Sequence, residues 1–227
     1  MDILKRLFDM SDEKYVAFSS KLTPSVARDL FIGVRAPSIK KLAKEIHSDK
    51  KVEEEFLKDL PHKYIEEYLL HIYLINKERD FEKCINNIDN ILPYIDNWMT
   101  CDAIKPVVFK KHPKEAEAYI KAWVDSKDVY VSRFGIGMLM SYYLDDRFNP
   151  KYLDWVSSLR IDDYYHKMMV AWYFATALAK QYEASISYIK ERKLEKWTHN
   201  KAIQKARESR RISPDVKEEL NKLKIII

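Results

Sequence analysis

DVYVSRFGIGMLM at residues 128–140 is followed 34 positions later by DDYYHKMMVAWYF at residues 162–174, and this repeat decides the predicted fold. A further step of 34 positions reaches Lys201, in the stretch KWTHNKAIQKA. The matching residues are Asp128 with Asp162, Tyr130 with Tyr164 and Arg133 with Lys167, and similar apolar runs follow them. Self-similarity at a period of this size is typical of helix pairs that stack into a solenoid.

Helical periodicity recurs along most of the chain. Residues 36–46 (APSIKKLAKEI) place apolar residues from Ile39 to Ile46 on one face and lysines on the other, and Pro37 suits a first helical turn. Only three glycines occur, and no strand-like alternation does. The same pattern predicts helices over 64–75, 80–92, 114–124, 130–144, 164–180 and 213–224. We predict an all-α fold, a right-handed superhelical solenoid of HEAT-like antiparallel helix pairs with a concave basic cleft, as a single domain over residues 1–227.

Composition narrows the class of protein. Hydrophobic residues at 47% and charged residues at 33% favour a folded globular chain over a disordered one. Two cysteines, Cys84 and Cys101, have no metal-ligand or redox spacing, which indicates a reducing compartment. The N-terminus lacks the apolar core of a secretory signal, and no stretch approaches the roughly 18 apolar residues of a membrane span. We expect a cytoplasmic protein and, because a curved array closes its own core, a monomer.

The net charge of +5 is mild, so the position of the cations matters more than their number. The repeat places a basic residue at equivalent points of three successive helices, which are Arg133, Lys167 and Lys201. If these helices line one surface, the three residues form a basic stripe. The alternative is that they are ordinary exposed cations of a highly charged chain. A further basic cluster in the last part of the chain contains Lys201, Lys205, Arg207, Arg210 and Arg211.

The segment IDNWMTCDAIKPVVFKKHP contains the clearest candidate for chemistry. Trp98 and Asp102 are four residues apart, so on a helix an indole and a carboxylate share one face. Alternatively, Asp102 caps a helix beginning at Ala103 and Trp98 belongs to the core. Three lysines follow, suited to phosphates or to a solvated face: Lys105, Lys110 and Lys111. Trp172 lies in an apolar helix, where burial in the core is the usual interpretation. The alternative is that it flanks the groove, since it stands five residues after Lys167.

Other chemistries find little support in the sequence. It contains no phosphate-binding glycine loop, dinucleotide fingerprint or nucleophile elbow. The six histidines are scattered without zinc-ligand spacing, and we interpret His166 and His199 as surface residues. We therefore expect no metal and no cofactor.

Several of these stretches resemble one known family, the AlkD-like DNA alkylation repair proteins. The similar stretches are IGVRAPSIKKLAKEI (32–46), NWMTCD (97–102), YVSRFGIGMLM (130–140), YYHKMMVAWYFATALAK (164–180) and WTHNKAIQKARES (197–209). The resemblance spans roughly residues 30–210. Its most specific element is Trp-x-x-x-Asp followed downstream by Arg and Trp.

The resemblance implies a HEAT-like solenoid that wraps duplex DNA in a basic cleft. Active members excise N3- or N7-alkylated purines as monofunctional glycosylases, without a cofactor and without flipping the base into a pocket. Carried over by motif, the catalytic residues are Trp98, Asp102, Arg133 and Trp172. The DNA-binding residues expected with them are Arg133, Lys167, Lys201, Lys105, Lys110 and Lys205. Two alternatives stay open: a non-catalytic DNA-binding scaffold of the same family, and a helical repeat that binds protein.

Overall fold

A computed structural model of the chain describes residues 2–226, and within that range every regular element is helical. The predicted all-α class is confirmed. In chain order the α-helices are α1 (Ile3–Phe8), α2 (Glu13–Leu22), α3 (Ala36–His47), α4 (Lys50–Lys58), α5 (Ile65–Ile75), α6 (Phe81–Ile91), α7 (Trp98–Cys101), α8 (Pro113–Val124), α9 (Val129–Tyr142), α10 (Lys151–Ser157), α11 (Tyr164–Lys180), α12 (Tyr182–Lys190), α13 (Lys196–Glu208) and α14 (Pro214–Lys222). The right-handed solenoid and its concave basic cleft stay predictions.

The chain divides into two compact units, residues 1–112 and 113–227. In the first unit, α5 packs on α3 and α7, and the core includes Leu7, Ile39 and Leu70. The buried carboxylate of Glu66, at the start of α5, accepts hydrogen bonds from the three successive backbone amides that precede α3. These amides belong to Ile32, Gly33 and Val34. The carboxylate thereby fixes the entry to α3.

In the second unit, α11 packs between α9 and α13, while α8 packs on α9 and α12 packs on α11. Polar contacts between residues 34 apart recur there, as the sequence repeat predicts. They join Glu117 to Lys151, Ser132 to His166 and Asp154 to Tyr188. The interval of the sequence repeat is therefore also an interval between contacting residues in this unit.

Two glycines of α9 show how closely α9 approaches α8. A Cβ at Gly135 would lie 2.6 Å from the backbone nitrogen of Val124, whereas a Cβ at Gly137 would meet only the flexible end of Met169, at 3.7 Å. We expect Gly135→Ala to destabilise the protein by about 1–3 kcal/mol through overpacking. Gly137→Ala should stabilise it by about 0.5–1 kcal/mol, because alanine loses less backbone entropy in a helix. Urea unfolding of both variants measures the two changes in the free energy of unfolding. Equal changes of the same sign would contradict this packing.

Candidate functional site

Asp102 and Trp98 lie at the two ends of α7, the shortest of the described α-helices. Asn97 caps its N-terminus, where its side-chain oxygen accepts a hydrogen bond from the backbone amide of Thr100 at 3.1 Å. At the other end the amide of Asp102 donates to the carbonyl of Trp98 at 3.0 Å, so the α-helical turn extends to the aspartate. Trp98 and Asp102 are therefore one helical turn apart, and the shared face of indole and carboxylate stays a prediction. Asp102 ends α7 and does not begin a helix at Ala103, so the capping alternative is wrong.

Both side chains of this pair are partly exposed, and neither belongs to the core. The indole N–H of Trp98 donates to the carbonyl of Leu22, at the end of α2, at 3.3 Å. This hydrogen bond ties the orientation of the indole to α2. The first unit therefore leaves both side chains partly exposed, one helical turn apart, with the indole oriented by α2.

Asn76, at the C-terminal end of α5, braces the segment that follows Asp102. Its amide nitrogen donates to the carbonyl of Ala103 at 2.8 Å, and its oxygen accepts from the amide of Lys105 at 2.6 Å. Its own carbonyl accepts from the amide of Val107 at 3.2 Å. One side chain and its backbone thus hold the non-helical segment from Ala103 to Val107 against the end of α5. Sequence reasoning missed this residue, because nothing in a lone asparagine marks the segment it will contact.

Trp172 lies in the middle of α11 with 44% of its surface exposed, between the fully or nearly fully buried Ala171 and Tyr173. Burial in the core, the usual interpretation for a tryptophan in so apolar a helix, is therefore wrong here. Four residues of this helix that are not buried follow one another at four-residue spacing: Tyr164, Met168, Trp172 and Thr176. α11 is packed on its other sides, so the tryptophan is displayed on the one face left open.

Arg133 is only 4% exposed and is anchored within the second unit. Its Nη1 donates to the backbone carbonyl of Tyr165, in the first turn of α11, at 2.5 Å. The guanidinium therefore fixes this turn relative to α9. The other two members of the predicted stripe, Lys167 and Lys201, lie in α11 and α13 and are half-buried.

Lys167 and Lys201 converge on Trp197, whose ring lies 5.7 Å from one ammonium and 5.6 Å from the other. Tyr164 packs edge-on against the same indole, with ring centroids 5.8 Å apart. Lys167 also forms an ion pair with Asp162 at 2.5 Å, which offsets part of its charge. The structure thus brings these two lysines together around an exposed aromatic ring. Trp197 was missed, since the 34-residue offset matches it to Asp163 and gives no aromatic recurrence.

The remaining predicted DNA-binding lysines are distributed over both units. Lys105 and Lys110 are exposed and belong to the first unit, on the segment after Asp102. Lys205 is in α13 and forms an ion pair with Glu208 at 3.2 Å. An exposed ion pair of this kind contributes little to stability, so the lysine is readily available to another anion.

His166 and His199 are buried, so their interpretation as surface residues is wrong. Ser132 Oγ donates to the carbonyl of Val124 at 2.8 Å, which leaves the oxygen to accept from His166 Nε2 at 3.0 Å. His199 Nε2 donates to the carbonyl of Leu223 at 2.9 Å. Both histidines join neighbouring elements of the second unit, as polar groups that are buried with a partner commonly do.

Burial lowers the pKa of His166 to about 4, and the positive charge of Arg133 acts in the same direction. The unfolded chain therefore binds a proton before the folded one as pH falls below the ordinary histidine pKa of about 6.5. The stabilisation is present above that pH and is lost on the way down to about pH 4, by up to about 1.4 kcal/mol per pH unit for one histidine. We expect His166→Gln, which retains a side-chain N–H donor, to flatten this part of the stability curve. Urea titrations at several pH values test the difference, and parallel curves for the two proteins would contradict it.

Two features of other classes of protein are absent from the part of the chain that the structure describes. No three histidine, cysteine, aspartate or glutamate side chains between residues 2 and 226 are grouped so that they could hold a metal ion. Over the same residues, no helix has both the length and the apolar character needed to cross a membrane. Cys84 and Cys101 are free thiols, and both are buried.

The fold and these surfaces define an all-α protein in which contacting helices recur at 34-residue spacing and an indole–carboxylate pair is exposed. A protein-family model described as DNA alkylation repair enzyme matches residues 3–206. The match covers most of the chain, which therefore belongs to the DNA alkylation repair enzyme family. This confirms the resemblance predicted from the sequence. A comparison with curated proteins finds no match.

Proposed function

We propose that this family member is a monofunctional DNA glycosylase that hydrolyses the N-glycosidic bond of N3- or N7-alkylated purines in duplex DNA. The observation that carries the proposal is Asp102, a partly exposed carboxylate held one helical turn from the partly exposed indole of Trp98. Membership of a DNA alkylation repair family supports DNA as the substrate. The proposed reaction needs no cofactor and no pocket for a flipped base.

The proposed hydrolysis can be catalysed by a carboxylate and needs no general acid. An N3- or N7-alkylated purine carries a positive charge, so it leaves as a neutral base when it takes the electron pair of the glycosidic bond. Positive charge then develops on the deoxyribose, and a nearby carboxylate stabilises it. Water attacks C1′ of the sugar, and its proton passes to Asp102 or to solvent. In this proposal Asp102 both stabilises the cationic sugar and orients the water.

The indoles have a separate role. Trp98 and Trp172 offer electron-rich faces to the cationic sugar and base, an interaction worth about 0.5–2 kcal/mol for each ring. An exposed Trp172 on an otherwise packed helix supports this role, because exposure of a large apolar ring has no packing benefit. Arg133 completes the proposed catalytic set as a cation whose hydrogen bond to Tyr165 fixes the first turn of the helix that carries Trp172.

DNA binding in the proposal depends on phosphate contacts from lysines. Lys105 and Lys110 would contribute from the first unit, and Lys167, Lys201 and Lys205 from the second, while the buried Arg133 would add positive charge without a direct phosphate contact. Each phosphate that a lysine neutralises releases counterions, so affinity should fall steeply as salt rises. Such contacts position the protein and carry no sequence information.

The test is release of 7-methylguanine or 3-methyladenine from methylated duplex DNA, followed by chromatography of the free bases. We expect release well above the spontaneous rate of the same DNA incubated without protein. A folded protein that binds the duplex in a salt-dependent manner but releases neither base would instead be a non-catalytic scaffold. A folded protein with no affinity for DNA at moderate salt would leave the protein-binding alternative.

A further inference from the structure

The backbone that follows the candidate carboxylate is fixed by hydrogen bonds from one N–H group after another. The amides of residues 103 and 104 donate back into α7, at 3.1 and 3.2 Å. Pro106 has no N–H to place. The amides of Lys105 and Val107 both donate to Asp102's neighbour in space, Asn76, one to its side-chain oxygen and the other to its carbonyl. Asn76 therefore holds the part of this backbone that α7 does not.

Asn76 is a rigid reference point, because it ends α5 in the core of the first unit. Its own amide donates to the carbonyl of Ile72 at 2.9 Å, so the helical hydrogen-bond pattern continues to this residue. Ile72, Leu74 and Ile75, which precede it, are at most 1% exposed. α5 packs on both α3 and α7. The side chain of Asn76 therefore ties the segment after α7 to the core.

A carboxamide is the side chain that these contacts require. Its NH₂ group donates to the carbonyl of Ala103 at 2.8 Å, while its oxygen accepts from the amide of Lys105 at 2.6 Å. An ionised carboxylate can only accept, and an apolar side chain can do neither. Ala103 directly follows Asp102 in the sequence. The carboxamide thus fixes the backbone one residue beyond the candidate carboxylate.

The backbone of Asp102 is held from both directions along the chain. On the N-terminal side, Asn97 caps α7, and the amide of Asp102 donates to the carbonyl of Trp98. On the C-terminal side, Ile104 is fully buried, and Asn76 binds the residues before and after it. The side chain of Asp102 stays partly exposed at the end of this fixed backbone.

We infer that Asn76 is a positioning residue, which fixes the backbone that carries Asp102 and thereby the place of its carboxylate. This inference rests on the proposed function and adds to it a residue that acts through the backbone of another. Stabilisation by a carboxylate depends on where the charge lies, and a displacement of about 1 Å can cost about 100-fold in rate. Asp102 supplies the charge, and Asn76 supplies its position.

The experiment measures base release by the full chain from methylated duplex DNA, in single turnovers with enough protein to saturate the DNA. We expect Asn76→Ala to lower the rate constant by about tenfold or more, because two hydrogen bonds to the segment after α7 are lost. DNA affinity should fall by less than about threefold, since no cation is removed. Partial unfolding would lower the amount of active protein, which does not change the rate constant at saturation.

Asn200→Ala is the matched control. Asn200 also donates to one backbone carbonyl and accepts from one backbone amide, both of Ile225 and both at 2.9 Å. Its replacement removes the same two kinds of hydrogen bond, but in the second unit. The free energy of unfolding should fall by a similar amount in the two variants. Only Asn76→Ala should change the rate constant of base release at saturation.

Hydrogen exchange measures the contact itself, without any reaction. The amide of Lys105 should exchange faster in Asn76→Ala than in the wild type, and at the wild-type rate in Asn200→Ala. If the wild-type protein releases methylated bases and Asn76→Ala keeps its rate constant, or if Asn200→Ala slows release equally, the positioning role is wrong and the proposed function stands. If the wild-type protein releases no base, the proposed function fails and the positioning role fails with it.

Discussion

Asp102→Asn should lower the rate of base release from methylated duplex DNA by at least about 100-fold, because loss of a preorganised electrostatic group typically costs about 10²–10³ in rate. Asparagine has nearly the same shape as aspartate, so the turn from Trp98 to residue 102 should persist. It has no negative charge to offset the cation that develops on the sugar. The effect should appear in the chemical step, measured under single-turnover conditions.

DNA affinity provides the control for this variant. We expect Asp102→Asn to bind methylated duplex within about twofold of the wild type, since the repulsion between one carboxylate and the phosphates is weak when it is screened by salt. Asp29→Asn, which changes an exposed carboxylate of the same unit, should leave both rate and affinity unchanged. Base release by Asp102→Asn at the wild-type rate would remove the carboxylate from the mechanism.

Long helices with a regular apolar pattern could be predicted from the sequence almost to the residue. The prediction over 164–180 coincides with α11, and the prediction over 36–46 misses only the last residue of α3. The helices α1, α2, α4, α10 and α12 were not predicted. They are short, from six to ten residues, and their stability depends on tertiary packing more than on local pattern.

The candidate site could be predicted in part. Spacing alone placed Trp98 and Asp102 one helical turn apart, because a helix converts a four-residue interval into proximity. Burial was harder to predict, as the hidden His166 and the exposed Trp172 show. Burial of His166 depends on a hydrogen-bond partner inside the fold, which is Ser132. That partner is 34 residues away in the sequence.

Glu66 is the residue whose conservative replacement should cost the most stability. Its Oε1 accepts from the amides of Gly33 and Val34 at 2.8 and 3.3 Å, and its Oε2 accepts from the amide of Ile32 at 2.9 Å. Both oxygens are therefore occupied by donors. In Glu66→Gln, either orientation of the amide directs an NH₂ group at a backbone N–H. We expect a loss of about 3 kcal/mol in the free energy of unfolding, because buried donors lose a charged acceptor.

The neighbouring Glu67 supplies a control for this prediction, because only one of its two carboxylate oxygens accepts hydrogen bonds from backbone amides. Its Oε2 alone accepts from the amides of Lys63 and Tyr64, at 3.2 and 2.9 Å. Glutamine can present its single oxygen to both amides, so Glu67→Gln should cost less than about 1 kcal/mol. Urea unfolding of the two variants measures the difference, and hydrogen exchange at Ile32, Gly33 and Val34 should accelerate only in Glu66→Gln. If the two variants lose similar amounts of unfolding free energy, the hydrogen bonds to both oxygens of Glu66 do not hold the entry to α3.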